Sequence, residues 1–388
     1  MLSWIPACAG MTKEKQMPLY LNDDQIMLRD TAKDFVAAEA PVAHMRALRD
    51  AGDATGFSRA LWKQFAEMGF TGILIPEADG GLGLGHVEAG VVLEEIGRNL
   101  APSPFLATAV TAVEALKGSA AARAWYPGIL AGETVAALAI DEGAKHDGRI
   151  AMQAERAGNG FRLTGAKQFV TNGHVADLLL VAARTGNGTT LFAVAGDAQG
   201  LTATPERLAD SSIAARLQFD GVEVDADAVI GEVDQGDGPL ARLLAAGRTG
   251  AAAEMIGVGG GAMDMTVSYL RERKQFGVAI GSFQALQHRA AHLYSEMEVA
   301  RAAVLKAQQL LDAGPEYAAA AAEAVAVAKA MTGLATTLAV QEGVQMHGGI
   351  GMTDEFDIGF FMKRARVLAE MFGDSNFHAN ALAESAGY

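Results

Sequence analysis

Apolar residues recur at helical spacing from Leu21 to Ala40, where Ile26, Leu28, Phe35 and Val36 fall on one side and Asn22 and Asp23 stand ready to cap the start. The same period predicts helices at Arg59–Met68, His86–Arg98 and Phe105–Leu116, with Gly80, Gly81, Gly83 and Gly85 forming a loop between the first two. After Gly132 the pattern changes. Runs rich in Val, Leu and Phe, separated by Gly, Asn and Asp, predict strands at Val135–Ile140, Gly160–Leu163, Gln168–Thr171, Leu178–Ala183, Thr190–Val194 and Leu217–Val224. That spacing indicates an antiparallel sheet or small barrel. Alanine-rich helical character returns at Asp237 and persists to Leu382, broken near Gly314-Pro315 and at His347–Gly351. The expected class is α+β: an N-terminal helical domain over 17–131, a middle antiparallel β domain over 132–236 and a C-terminal helical bundle over 237–388. Residues 1–16 fit neither a helix period nor a signal peptide, so a disordered tail is expected there, with Met17 as the natural start.

With 388 residues, the chain buries a large share of its surface and accommodates two or three subdomains. No uninterrupted apolar stretch is expected to span a bilayer. A formal net charge of -15 argues against binding to nucleic-acid backbones, which needs a basic surface. The only cysteine, Cys8, excludes an intramolecular disulfide and any cysteine-based zinc cluster, which favours a reducing, cytoplasmic location.

Several motifs dissolve on inspection. Gly257-Val258-Gly259-Gly260-Gly261-Ala262 has dinucleotide-binding glycines but lies within helical pattern, where close helix packing explains it better than a phosphate turn. His288 and His292 sit four apart, one helical turn, but no third metal ligand accompanies them, so no metal is expected. No Gly-x-Ser-x-Gly elbow is present, leaving no visible nucleophile for hydrolysis.

Two longer strings are more informative. Tyr269-Leu270-Arg271-Glu272-Arg273-Lys274-Gln275-Phe276-Gly277, followed by Phe283-Gln284, resembles the string with which acyl-CoA dehydrogenases hold FAD. Gln345-Met346-His347-Gly348-Gly349-Ile350-Gly351 resembles that family's second FAD loop, contributed across a subunit interface. Gly165–Asn172 resembles its middle-domain flavin strand, and the likeness extends from about Leu21 to Leu382. The resemblance implies the helix–barrel–helix fold and FAD as cofactor. Arg273, Phe276 and Gln284 would hold it, and Gln345, Gly348 and Gly349 would reach it across the interface. Phe169 would cover the isoalloxazine and Thr171 would face its N5 edge. Arg273 offers a planar fork of donors to pyrophosphate, and Gly348 and Gly349 permit close backbone approach. The family's Thr-Glu-Pro and Gly-Ser-Asp signals are replaced here by Ala139–Asp147, so that loop's flavin and thioester contacts do not carry over.

The family reaction removes the α proton of an acyl-CoA thioester to a carboxylate while the β hydrogen leaves as hydride to flavin. Both usual base positions lack a carboxylate: one is Phe372, and the other is Gly247, directly before Arg248, itself a candidate for substrate binding. Three substitutes present themselves. Glu254 lies seven residues beyond Gly247, about 10.5 Å along a helix, and reads as structural. Glu370 points to another side of its helix than position 372. Asp374 follows Gly373, where a turn would let its carboxylate swing toward flavin, and is the preferred base; capping the following helix is its competing role. Three functions remain open. One is a dehydrogenase that uses Asp374 and passes electrons to an electron-transferring flavoprotein. The second is a non-catalytic or half-site FAD-binding subunit of a hetero-oligomer, and the third an oxygen-using relative. Each implies contact between subunits, as a homo-dimer, a tetramer or a hetero-oligomer.

Overall fold

The computed structural model describes residues 17–388. The expected tail, 1–16, lies outside the described residues. Helix α1 (Asp23–Glu39) starts with a capping box: the Asn22 side chain accepts from Gln25 N and the Gln25 side chain accepts from Asn22 N. It is followed by α2 (Val42–Asp50), α3 (Arg59–Glu67), α4 (His86–Arg98), α5 (Val113–Leu116) and α6 (Ala122–Leu130). The predicted helix Phe105–Leu116 is a π-helical segment, Leu106–Ala112, running into α5. Its Thr111 hydroxyl donates to the carbonyls of Leu106 and Ala107. Wider turns of this kind recur at functional sites.

The middle sheet contains β1 (Ala136–Ala139), β2 (Gln153–Ala157), β3 (Gly160–Thr171), β4 (Leu178–Thr185), β5 (Gly188–Ala195), β6 (Leu201–Arg207), β7 (Ile213–Val224) and β8 (Val229–Ile230). The order is β6-β7-β3-β2-β4-β5-β8, with β1 parallel to β4 and most other pairs antiparallel. The two runs predicted at Gly160–Leu163 and Gln168–Thr171 are one strand, kinked by irregularities near Gly165 and between Lys167 and Val170. The second irregularity puts Phe169 at φ +53, so its ring leaves the ladder and stands 47% exposed.

The C-terminal part holds α7 (Asp237–Glu272), a small hairpin of β9 (Lys274–Gln275) and β10 (Val278–Ala279), then α8 (Gln284–Asp312), α9 (Ala318–His347), α10 (Ile358–Glu370) and α11 (Ser375–Ser385). Glycines let α7 lie close to its neighbours: a Cβ on Gly257 would sit 1.8 Å from the Glu94 carbonyl oxygen, and one on Gly261 would meet Arg98 and Phe361. The expectation of no membrane-length apolar stretch needs amending. Pro315–Met352, containing α9, is long and apolar enough by composition, with mean hydropathy 1.3. Its alanines explain that value, and α9 packs against α7, α8, α10 and α11 with Lys329 buried in its middle.

Candidate active site

A cavity of about 420 Å³ opens between the sheet and the C-terminal helices. Apolar side chains from α4, the π-helical segment, β1 and α10 form much of its wall, including Leu93, Leu106, Leu138 and Val367. Phe169 and Thr171 reach it from β3. The Thr171 side chain makes no hydrogen bond among the described residues, which leaves its hydroxyl available to a ligand.

Positions 247 and 372, the two base positions that the family resemblance implies, face each other. A Cβ on Gly247 would stand 3.0 Å from the Phe372 ring, so the phenyl group fills the notch left by glycine. Phe372 lies in the left-handed region at φ +59, a costly conformation for a bulky residue. Three donors, two of them buried, hold that turn. Arg248 Nε and His378 Nε2 donate to the Phe372 carbonyl at 3.1 and 3.2 Å. Lys329 Nζ donates to the carbonyls of Ala369 and Gly373, both at 3.0 Å. Burial pushes Lys329 down to about 7 and His378 down to about 3, because low dielectric disfavours the charged form.

Arg248 also reaches His146 Nε2 at 3.2 Å, and His146 Nδ1 lies 2.7 Å from Asp141. Arginine has only donors, so Nε2 accepts and Nδ1-H donates to Asp141. Burial pushes Arg248 down to about 10, still cationic at neutral pH. The loop that departs from the family strings thus ties the β domain to α7 and lines the cavity through Asp141, Lys145 and His146.

Asp374 is outside the cavity lining. One of its oxygens caps α11 by accepting from Phe377 N at 2.8 Å, and the other accepts from Lys145 Nζ at 2.9 Å. These contacts, the backbone bond first, hold its carboxyl below the usual range, the opposite of the elevation that suits a general base. Glu370 lines the cavity but pairs with Arg366 and Lys145.

Glu254 lies deeper, on the cavity wall, 3% exposed. Arg364 Nε and Nη2 both donate to its Oε1, at 2.8 and 2.6 Å, while Arg364 Nη1 donates to Asp210 at 2.8 Å. Desolvation raises the Glu254 carboxyl, against the pull of Arg364. Sequence reasoning dismissed Glu254 and did not find Arg364, Lys329 or His146. The one available signal was an acid inside the apolar run Ala251-Ala252-Ala253-Glu254-Met255-Ile256.

The remaining predicted residues gather elsewhere on the chain. Arg273, Phe276 and Gln284 belong to the β9–β10 hairpin with its approach and the start of α8; Gln345 lies in the last turn of α9, and Gly348 and Gly349 follow it. Tyr269 stacks on His347 at 4.5 Å, which joins the two strings, and all six residues are exposed, Phe276 at 91%. None of them lines the cavity. Each half fits part of FAD. The cavity has ligand-sized volume with an exposed ring and an unused hydroxyl, and the exposed cluster has a free guanidinium with glycines whose Cβ positions meet nothing within 4 Å. One chain therefore presents two separate groups of residues that fit parts of FAD.

Family models match three successive stretches of the chain. Acyl-CoA dehydrogenase N-terminal, middle and C-terminal domains match residues 22–133, 142–222 and 236–387. The acyl-CoA dehydrogenase IpdE2 of Mycolicibacterium smegmatis is 32% identical, over 91% of this chain and 96% of that protein. Among solved structures, a variant of the Tcur3481-Tcur3483 steroid ACAD superposes with TM-score 0.85 at 30% identity, covering 94% of this chain and 99% of that one. The ChsE4-ChsE5 complex from Mycobacterium tuberculosis gives TM-score 0.87 at 27% identity, covering 96% and 100%. With these matches spanning its three parts, the chain belongs to the acyl-CoA dehydrogenase family of FAD-dependent oxidoreductases.

Proposed function

We propose that this protein is the FAD-sharing subunit of a hetero-oligomeric acyl-CoA dehydrogenase. Its Arg273, Phe276, Gln284, Gln345, Gly348 and Gly349 complete the FAD site of a related chain, and that chain supplies the base. The observation carrying this reading is the interlock of Gly247 with Phe372, which fills both usual base positions with carbon. Asp374, the preferred base from sequence, is engaged as a helix cap and ion pair. Both solved relatives named above are described as pairs of different chains. Exposed apolar residues beside the FAD strings, including Phe283, Tyr294 and Met352, suit an interface with a second subunit.

FAD at the shared site would supply the acceptor for the β hydride of an acyl-CoA thioester, giving the α,β-unsaturated product, with electrons passing to an electron-transferring flavoprotein. This chain's residues act by binding. Arg273 meets phosphate charge through its planar fork, and the glycines let backbone N–H groups approach. FAD quantitation tests the reading: the chain is mixed with a family relative that has glutamate at the position matching Phe372. One FAD for each unlike pair, with activity only in the mixture, is expected. Full FAD occupancy and turnover by this chain alone contradicts it.

The second reading, a self-sufficient dehydrogenase, is favoured by one observation, that the cavity remains open and contains ionisable groups. It requires a base at a position other than 247 or 372.

A further inference from the structure

The cavity remains open although its base positions carry none, and its polar groups sit at two ends. Helices α7 and α10 run antiparallel here: Arg248 bonds to the Phe372 carbonyl, and six residues further along α7 Glu254 bonds to Arg364. Six residues of helix span about 9 Å. At the Phe372 end the lining includes Lys145 and Arg366, whose side chains are 66% and 73% exposed and both pair with Glu370, so the mouth is wet and carries charges of both signs. Leu106, Ala107, Leu138 and Val367 contribute apolar wall. At the deep end stand Glu254, Arg364 and Ser103.

Glu254 is placed to bind a ligand there. Both Arg364 donors fall on Oε1, while Oε2 accepts no hydrogen bond among the described residues and is absent from the enclosed, unpartnered atoms. Asp210 takes the third Arg364 donor, so the guanidinium is neutralised on two sides and is not free for a ligand anion. The free acceptor is therefore the carboxylate oxygen. A purely hydrocarbon occupant would leave that oxygen desolvated without a partner, which is unfavourable.

We propose that this cavity is a ligand site in its own right, taking an acyl chain whose polar head lies at the wet mouth and whose remote hydroxyl group donates to Glu254 Oε2. This goes beyond FAD sharing, and it requires no base at position 372. Arg364 and Asp210 are positioning residues that fix the carboxylate.

Calorimetric titration of the full-length protein with octanoyl-CoA and 8-hydroxyoctanoyl-CoA tests it, since binding is read without turnover. The hydroxylated probe is expected to bind about tenfold tighter or more, the range for a hydrogen bond to a charged group. Glu254→Gln should cut that preference severalfold and leave octanoyl-CoA affinity little changed. Ala144→Trp, at an exposed lining position that leaves the core intact, should weaken both probes. Equal affinities in the unmodified protein, a preference that survives Glu254→Gln, or no binding of either probe overturns the proposal. FAD stoichiometry in the mixture with a related chain is a separate reading, so the two ideas fail independently.

Discussion

Replacing Arg364 with methionine removes the one cation shared by two buried acids. The Glu254 and Asp210 side chains are 3% and 4% exposed, and Arg364 binds both. Breaking a buried pair by deleting one partner costs about 3–5 kcal/mol, because the remaining charge is left uncompensated. Two acids share this cation, so the upper part of that range is expected at neutral pH. The pH dependence has a definite sign. Burial already raises the Glu254 carboxyl in the folded state, and loss of Arg364, whose charge and hydrogen bonds lower it, raises it further. An acid with a raised folded pKa contributes stability present below its unfolded value, about 4.3, and lost as pH rises through the folded value. The Arg364→Met deficit should therefore be greatest at neutral and alkaline pH and shrink as the pH falls toward 5. Urea denaturation of both proteins at pH 5 and pH 8, followed by tryptophan fluorescence, measures this. A loss below about 1 kcal/mol at pH 8, or one that grows on acidification, refutes the reasoning.

Lys329, pushed down to about 7, makes the folded state gain stability between about pH 7 and 10, where the unfolded chain still binds the proton; the slope should approach 1.4 kcal/mol per pH unit at most and be absent in Lys329→Met. Denaturant midpoints across that range check it. Phe372→Glu places a carboxylate at the mouth of the cavity, so FAD added to the variant should bleach anaerobically with an acyl-CoA that leaves the unmodified chain, given the same FAD, unchanged. Gly348→Val, at φ +65 in open space, should reduce FAD retention on gel filtration by strain in the loop rather than collision, with the far-UV circular dichroism unchanged.

Much of the architecture was legible because periodicity reports burial directly. The change from helical to strand pattern after Gly132 and back at Asp237 marks where the sheet begins and ends. The segments missed have physical reasons. Strand β6 has no buried residue and β2 has one, so neither shows an apolar alternation. Helix α6 contains Pro127, which argues against a helix in any window reading. The π-helical hydrogen-bond register of Leu106–Ala112 leaves no mark in composition.

The site divided in the same way. The FAD strings were legible as text because the family uses them as contiguous segments. Asp374 was correctly placed after a helix end, but its partner Lys145 lies 229 residues away. Arg364 and Glu254 are 110 residues apart, and nothing local announces their pairing. Long-range electrostatics decide which carboxylate is engaged and which is free, and those contacts exist only in the folded chain.

Anaerobic flavin bleaching tests the central claim most directly. The chain and its Asp374→Asn variant, each in the presence of added FAD, are mixed with linear, branched, aromatic and steroid-like acyl-CoA thioesters. No bleaching by the chain alone, and bleaching restored when a related chain with a carboxylate base is added, is the predicted result. Rapid bleaching by the chain alone that vanishes in Asp374→Asn would contradict the account and return the proton to Asp374.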